Sequence, residues 1–502
     1  MNSTNTHKST VVLPGWQRPL FLLVLACAVS SFAIESRSFW IDEANTALHA
    51  VQPTFTSWRM SLSNSLSSDA QMPFFMFYAW AWEKIFGHGE WWLRLSNLPW
   101  LVLCLLAVPR RQTIFLVVFL ISPFVWYYLD EFRPYLMQIS AAMLMFGSLG
   151  RLMEVPGGLP REKYLVATFC LGLLLLSGSS LLGMVWGGAI LGMSAMIMDL
   201  SRTLQLARKY LLFILPTVLL LSALALYFLW AIKKGDNPTQ GTTNIQSTLF
   251  CFYEMMGFAG LGPGRAQLHA DGVAPLRPFI PLLAFQALVT LCVLVAGAGY
   301  VVQKTPRRIW LWAMTVLLSA TLLLLILGMV KNFRVLGRHL SPLEPAVLWV
   351  LACGVRDLWL RNRYWQAVAL VFILLNLSSA LELRFAWRHV KDDYRDAAAV
   401  AIAANRQGKQ VWWCADGNSG LYYGVPLAPL HQLSAPGQVW EAIDKPLDTL
   451  KLLISNETPA DVVILSKPEI YDGHRVVCSY LTDHHFLLSQ TYPAVTIWKK
   501  QE

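Results

Sequence analysis

The sequence predicts an all-α polytopic membrane domain of about eleven spans, residues 1–387, followed by a small soluble α/β domain, residues 388–502. Three observations carry that prediction. Of 502 residues, 55% are hydrophobic and only 14% are charged, where a soluble chain carries about a quarter charged. Apolar runs recur as far as residue 381, many near the ~20 residues a bilayer span needs. After residue 388 the pattern changes to a helix and short strand-like runs between polar turns.

The runs lie at roughly 19–34, 95–109, 112–129, 134–150, 164–177, 181–198, 210–232, 278–302, 309–330, 340–356 and 364–381. Ala33-Ile34-Glu35 makes a poor cleavage site, so the first run is read as a retained helix. Ser177-Gly178-Ser179-Ser180 interrupts residues 164–198, which form one long helix or a tight hairpin. A hairpin places Arg161 and Lys163 on the same side as Arg202, Arg208 and Lys209, as the positive-inside rule prefers. Arg110-Arg111, the Lys304/Arg307/Arg308 cluster and the Arg356/Arg361/Arg363 cluster then join the N-terminus on the cytoplasmic side. Loop 36–90 and the C-terminal domain fall outside. The net charge of +10 is therefore topological and points to no nucleic acid. The 21 tryptophans, many near span ends, suit interfacial belts.

Within loop 36–90, "MPFFMFYAWAWEKIF" (72–86) reads as an interfacial helix. Residues 233–277 form a second outer segment. In the last domain, Asp392 or Asp393 caps a helix that stops near Gly408, and strands follow at 410–416 and 461–466 and twice within 484–500. The eight cysteines show no CxxC and no zinc spacing. Cys414 and Cys478 of the outer domain form a bridge or remain two free thiols.

Four charged clusters ask for an explanation. Asp42 and Glu43 follow the first span, where they either complement a helix dipole or do chemistry. Asp130, Glu131 and Arg133 in "YYLDEFRPYL" form a polar turn before Pro134 or part of a site. Lys331, Arg334, Arg338 and His339 put four potential cations outside, against the positive-inside trend, and Glu344 lies just inside the next run. Such a local excess suits an anionic group such as a phosphate, or simply snorkelling anchors. "RHVKDDYRDAAA" (388–399) reads first as capping and solvated charge. Together these put carboxylates, cations and aromatic segments on one face, as an enzyme for a lipid-linked anionic substrate would need.

"SFWIDEANTALHA" (38–50), the Pro-aromatic helix ending in Phe-Gly, Glu90-x-x-x-Arg94-Leu95 and Glu131-x-Arg133-Pro134-Tyr135 resemble, in order and spacing, the opening third of GT-C fold glycosyltransferases. The resemblance is to bacterial members akin to protein O-mannosyltransferases and lipid A aminoarabinose transferases. Beyond about residue 135 it rests on hydropathy plus "GRHLSPLEP" and "KDDYRDAAA". It implies transfer of one sugar, with inversion, from a polyprenyl-phosphate donor to a hydroxyl of an extracytoplasmic acceptor, at a bacterial inner membrane and with no cofactor or metal. It makes Asp42 the base, Glu43 a support or substrate contact, and Glu131, Arg133 and Tyr135 further substrate-binding residues. Arg338 and His339 become candidates for the phosphate. The alternatives are a lipid-linked glycan transporter or flippase, which would carry mid-span charges and internal repeats, and a glycan polymerase or ligase.

Overall fold

The computed structural model describes residues 17–65, 67–154, 160–233, 241–265, 267–268, 272–331, 333–428, 439–441 and 460–501. Seven of its helices are long and apolar enough to cross a membrane: Tyr135–Glu154, Arg161–Ser179, Leu181–Met198, Leu211–Ala231, Ala274–Lys304, Arg307–Val330 and Arg363–Phe385. The chain is a multi-pass membrane protein. Leu211–Ala231 is apolar all round, and Leu212, Leu219 and Leu226 stand exposed on it. Such surface is stable only against lipid.

The other apolar runs fold as shorter pieces. The first is α1 (Gln17–Ala33) and the second contributes Leu98–Ala107. Run 112–129 is two helices, Thr113–Leu120 and Pro123–Leu129. Pro123 has no N–H to continue the first, and Ser122 caps the second through Val125 N. Run 340–356 begins as a 3-10 turn, Gly337–Leu343, and becomes α-helical only at Glu344–Trp359. Residues 164–198 form the hairpin rather than one helix: Ser180 is extended, its hydroxyl accepts from Gly183 N at 2.9 Å, and the two helices pack together. Glycines set the closest approach in the bundle. A Cβ on Gly297 would sit 2.0 Å from the Val350 carbonyl, and one on Gly354 2.0 Å from the Val293 carbonyl.

The basic helix ends gather at one end of the bundle. Arg18 and Arg151 donate to the Val108 and Ala107 carbonyls, Lys209 pairs with Glu162, and Arg308 donates to the Met196 carbonyl. The other end carries α2 (Ile41–Ala50), α3 (Phe55–Asn64) and α4 (Pro73–Phe86), the last covering the expected interfacial helix.

The C-terminal domain sits on that same end. Its described strands β1 (Val411–Cys414), β2 (Leu427–Ala428), β3 (Val439–Glu441), β4 (Val462–Ser466), β5 (Phe486–Tyr492) and β6 (Val495–Lys500) form one mixed sheet in the order β2-β3-β1-β4-β6-β5. β1 to β4 run parallel, and β5 and β6 antiparallel. Helix Tyr394–Arg406 packs Ala397, Ala398, Ala401 and Ala404 over this sheet. Asp393 is its cap, accepting from Asp396 N at 3.2 Å, and Gly408 takes φ +76° past its end. Cys414 and Cys478 share one apolar cluster beside the sheet and are free thiols, the second of the two alternatives.

The domain is clamped onto the start of α2. Tyr423 OH accepts from Phe39 N at 2.7 Å, and Ser38 Oγ accepts from the backbone N–H groups of Tyr394 and Arg395 at 3.0 and 3.1 Å. Tyr422 OH donates to the His88 carbonyl at 2.6 Å. Ile41 itself packs into the domain core.

Candidate active site

Adjacent residues on a helix point about 100° apart, and on α2 this separates the two carboxylates of the opening turn. Glu43 turns inward and is fully buried. Arg94, also fully buried, grips it with two bonds, Nε to Oε1 at 2.9 Å and Nη2 to Oε2 at 2.7 Å. Phe132 N adds a third at 2.8 Å. The rest of the guanidinium donates to the carbonyls of Glu35, Arg37 and Ser38 at 3.0, 2.8 and 3.2 Å. Of the two roles open to Glu43, support fits this geometry: both oxygens are engaged and neither faces solvent.

Asp42 turns the other way and keeps 27% of its side chain exposed. Arg338, from the 3-10 turn more than 290 residues later, donates Nη1 to Asp42 Oδ2 at 2.7 Å. Burial raises the Asp42 pKa, but the charges of Arg338 and Arg133 outweigh it and hold the carboxyl below its usual range. Arg338 lies over the rings of Trp40 and Tyr135, at 5.5 and 5.9 Å from their centroids.

Glu131 lies in the short non-helical link between Leu129 and Tyr135. Asn97 holds that link open by donating to the carbonyls of Tyr128, Leu129 and Glu131. The Glu131 side chain is fully buried, yet neither carboxylate oxygen has a hydrogen-bond partner. Burial pushes its pKa up to about 7, against the pull of Lys391 and Arg265. Arg133 bonds through Nη1 to its structural neighbours, while its Nε is buried without a partner. Its Nη1 donates to Asp69 Oδ1 and Thr46 Oγ1, both at 2.5 Å, and to the Asp42 carbonyl at 3.1 Å, which pins α2 from below.

His339 corrects the count of four outer cations. Burial and the neighbouring Arg338 push its pKa well down, and its Nδ1 accepts from Leu336 N at 3.0 Å, so the ring is neutral. Lys331 and Arg334 make no ion pair among the described residues. Glu344 is buried and accepts from Ser122 Oγ at 3.1 Å.

Residues outside the expected set complete the cluster. Arg94 sat unassigned within the Glu90-x-x-x-Arg94-Leu95 motif. Lys391, from the segment read as capping and solvated charge, reaches Asp130 Oδ2 at 3.2 Å and comes within 3.8 Å of Glu43. Glu254 pairs with Arg265 and accepts from Gly337 N at 3.1 Å. A Cβ on Gly337 would meet Glu254 Oε2 at 2.4 Å, so a larger residue there would have to push that carboxylate aside. Asp69, Glu254 and Arg265 carried no sequence signal, because nothing local says that they meet. No group of three or more His, Cys, Asp or Glu able to hold a metal ion occurs among the described residues.

No protein-family model and no curated protein matches the chain. Solved structures do. ArnT from Cupriavidus metallidurans in the apo state is 12% identical, with a TM-score of 0.50 over 95% of this chain and 97% of that one. The same protein bound to undecaprenyl phosphate gives 0.49 at 12% identity over the same shares. The arabinofuranosyltransferase AftD from Mycobacteria gives 0.46 at 13% identity, over 98% of this chain but 40% of its own. Through the first of these, over nearly its whole length, this chain has the GT-C glycosyltransferase fold.

Proposed function

We propose that the protein is a membrane glycosyltransferase that moves one sugar from a polyprenyl-phosphate donor to a hydroxyl of an extracytoplasmic acceptor, with inversion at the anomeric carbon. The observation that carries this reading is the Asp42–Arg338 pair. It is a partly open point of a charged cluster in which Glu43, Arg94, Glu131 and Arg133 are closed off. A carboxylate beside a guanidinium at the membrane surface matches both ends of such a displacement.

The acceptor oxygen attacks the anomeric carbon, and its proton passes to Asp42. The bond from that carbon to the phosphate oxygen breaks, and the electron pair leaves with the lipid phosphate. Arg338, released from Asp42, meets the departing charge as a charge-assisted donor. His339, being neutral, can serve only as an N–H donor through Nε2. Tyr135 forms a wall beside Arg338, and Glu43 with Arg94 fixes the pitch of α2. The gathering of basic helix ends at the far end of the bundle supports a site on the outer face of a bacterial inner membrane, with the C-terminal domain outside.

The test is D42N in purified protein, with polyprenyl-phosphate sugars as donors and envelope lipids, glycans or proteins as acceptors. Turnover falls by about two to four orders of magnitude, the share of general-base catalysis. Near-normal turnover would return Asp42 to a dipole partner in the first turn of α2, a role worth only about 0.3–1 kcal/mol. A product carrying many sugars per turnover would favour the polymerase or ligase reading.

A further inference from the structure

Among the described buried carboxylates at this end of the molecule, Glu131 and Glu344 lack a cationic partner, and Glu131 has both oxygens unpartnered. Glu43, Asp69 and Glu254 are equally inaccessible, and each has a guanidinium partner. Glu131 has none, although three cations act on its charge, Lys391 and Arg265 first and then Arg338, against the like charge of Glu43. Each of those cations is engaged elsewhere, with Asp130, with Glu254 and with Asp42. The arrangement holds positive potential over the carboxylate while leaving both oxygens free.

Other orphans lie in the same neighbourhood. Tyr128 OH, on the residue three before Glu131, is buried without a partner, and so is Arg338 Nε. Tyr128 stacks edge-on against Tyr135 at 5.0 Å, and Tyr127 lies against Tyr128 at 5.1 Å. Arg265 donates to Tyr127 OH at 2.5 Å and fixes that wall. The unsatisfied set includes two carboxylate acceptors, one hydroxyl and one guanidinium N–H beside aromatic faces, and Asn97 Oδ1, Trp40 Nε1 and Arg133 Nε are orphaned on residues of the same cluster. Buried polar atoms without partners cost about 1–3 kcal/mol each, more when charged. Such a concentration is kept where a ligand supplies the missing bonds.

Resting on the glycosyltransferase reading above, we propose that Glu131 is the anchor for the donor's sugar, accepting hydrogen bonds from ring hydroxyls while Tyr128 OH and Arg338 Nε supply the complementary contacts. A polyol matches the set because each hydroxyl both donates and accepts, whereas a phosphate could only accept and would be repelled by the carboxylate. Access requires Arg338 to leave Asp42, the movement that capture of the lipid phosphate demands. Donor arrival would therefore free the base and expose the sugar anchor in one step.

The test compares binding of undecaprenyl phosphate with that of undecaprenyl-phosphate pentoses and hexoses to full-length wild type, E131A and E131Q in nanodiscs, by thermophoresis. In wild type at least one sugar-bearing lipid binds about tenfold or more tighter than the bare lipid, the lower end for a hydrogen bond to a charged group. E131A abolishes that margin, E131Q keeps part of it, and the bare lipid binds all three within about twofold. A margin that survives E131A, or an equal loss for bare and sugar-bearing lipids in both variants, overturns the anchor. So does a margin that EDTA removes and a divalent cation restores, since the carboxylate would then serve a metal. Failure of wild type to bind even the bare lipid overturns the donor reading itself.

Discussion

Glu43 with Arg94 on one side of α2, and Asp42 with Arg338 on the other, use the same chemistry toward opposite ends. On the first side each polar atom of the pair has a partner, both side chains are fully buried, and the network ties three carbonyls and the Phe132 N–H into one knot. On the second side the ion pair keeps contact with solvent and Arg338 Nε is unpartnered, and Glu131, in the link that follows Leu129, is buried with nothing to hold. A satisfied buried network fixes structure. An unsatisfied one at a surface opening stores free energy that a ligand can recover. Sequence cannot tell the two apart, because Asp42 and Glu43 are neighbours of like charge.

The comparison is open to attack at four points. The largest expected effect is R94A, which strands a buried carboxylate and should cost about 3–5 kcal/mol, enough to collapse folded yield or thermal stability. D42N should leave both near wild type while removing turnover. An apolar pair, E43L with R94M, should recover much of what R94A loses, and failure to recover would mean the knot has a role beyond holding the fold.

R338A comes next. It loses a charged hydrogen bond to the leaving phosphate, worth about 1.5–3 kcal/mol in kcat/KM. It also removes the leading influence that holds the Asp42 pKa down. Asp42 is ionised, and so competent as a base, at pH values above its folded pKa. Raising that pKa moves the acidic limb of the kcat/KM profile to higher pH. A profile with an unmoved acidic limb would show that Asp42 is not the group titrating there.

E131Q should raise stability, the opposite of what removing a structural carboxylate does. The folded pKa of about 7 stands above the ordinary 4.5. Below pH 4.5 the group is protonated in both states and brings no ionisation penalty. Between 4.5 and about 7 the unfolded chain ionises while the folded one resists, so wild type loses stability as pH rises. The Tm advantage of E131Q should open across that window and stay constant above it. An advantage that shrinks with rising pH would place Glu131 in an ion pair.

The smallest effect tests a place where local structure alone decides. D393A removes the cap of helix Tyr394–Arg406 and should cost about 1 kcal/mol. Amide exchange in its first turn should quicken about fivefold, with donor binding unchanged.

Much of this fold could be read from local pattern. Period and length gave the long spans, Asp393 and Gly408 marked the C-terminal helix, and β1, β4, β5 and β6 fall within their expected segments. Where the reading faltered, backbone chemistry decided. Pro123 split one span, and Pro342 and Pro345 delayed the helical start of another. The His339 charge could not be judged without knowing its burial and its bond to Leu336 N.

By itself the sequence determined that this is a membrane bundle with an α/β domain, and that carboxylates and cations collect on one face. Those facts follow from hydrophobic period, caps and charge placement, all legible within one or two turns of chain. Tertiary structure alone decided which carboxylate is a strut and which is available. Asp42 meets Arg338 across 296 positions, Arg133 meets Asp69 across 64, and Glu254 meets the Gly337 N–H across 83. The role of a buried charge is set by its partner and its access to water. Both depend on packing between distant segments, which no local pattern encodes.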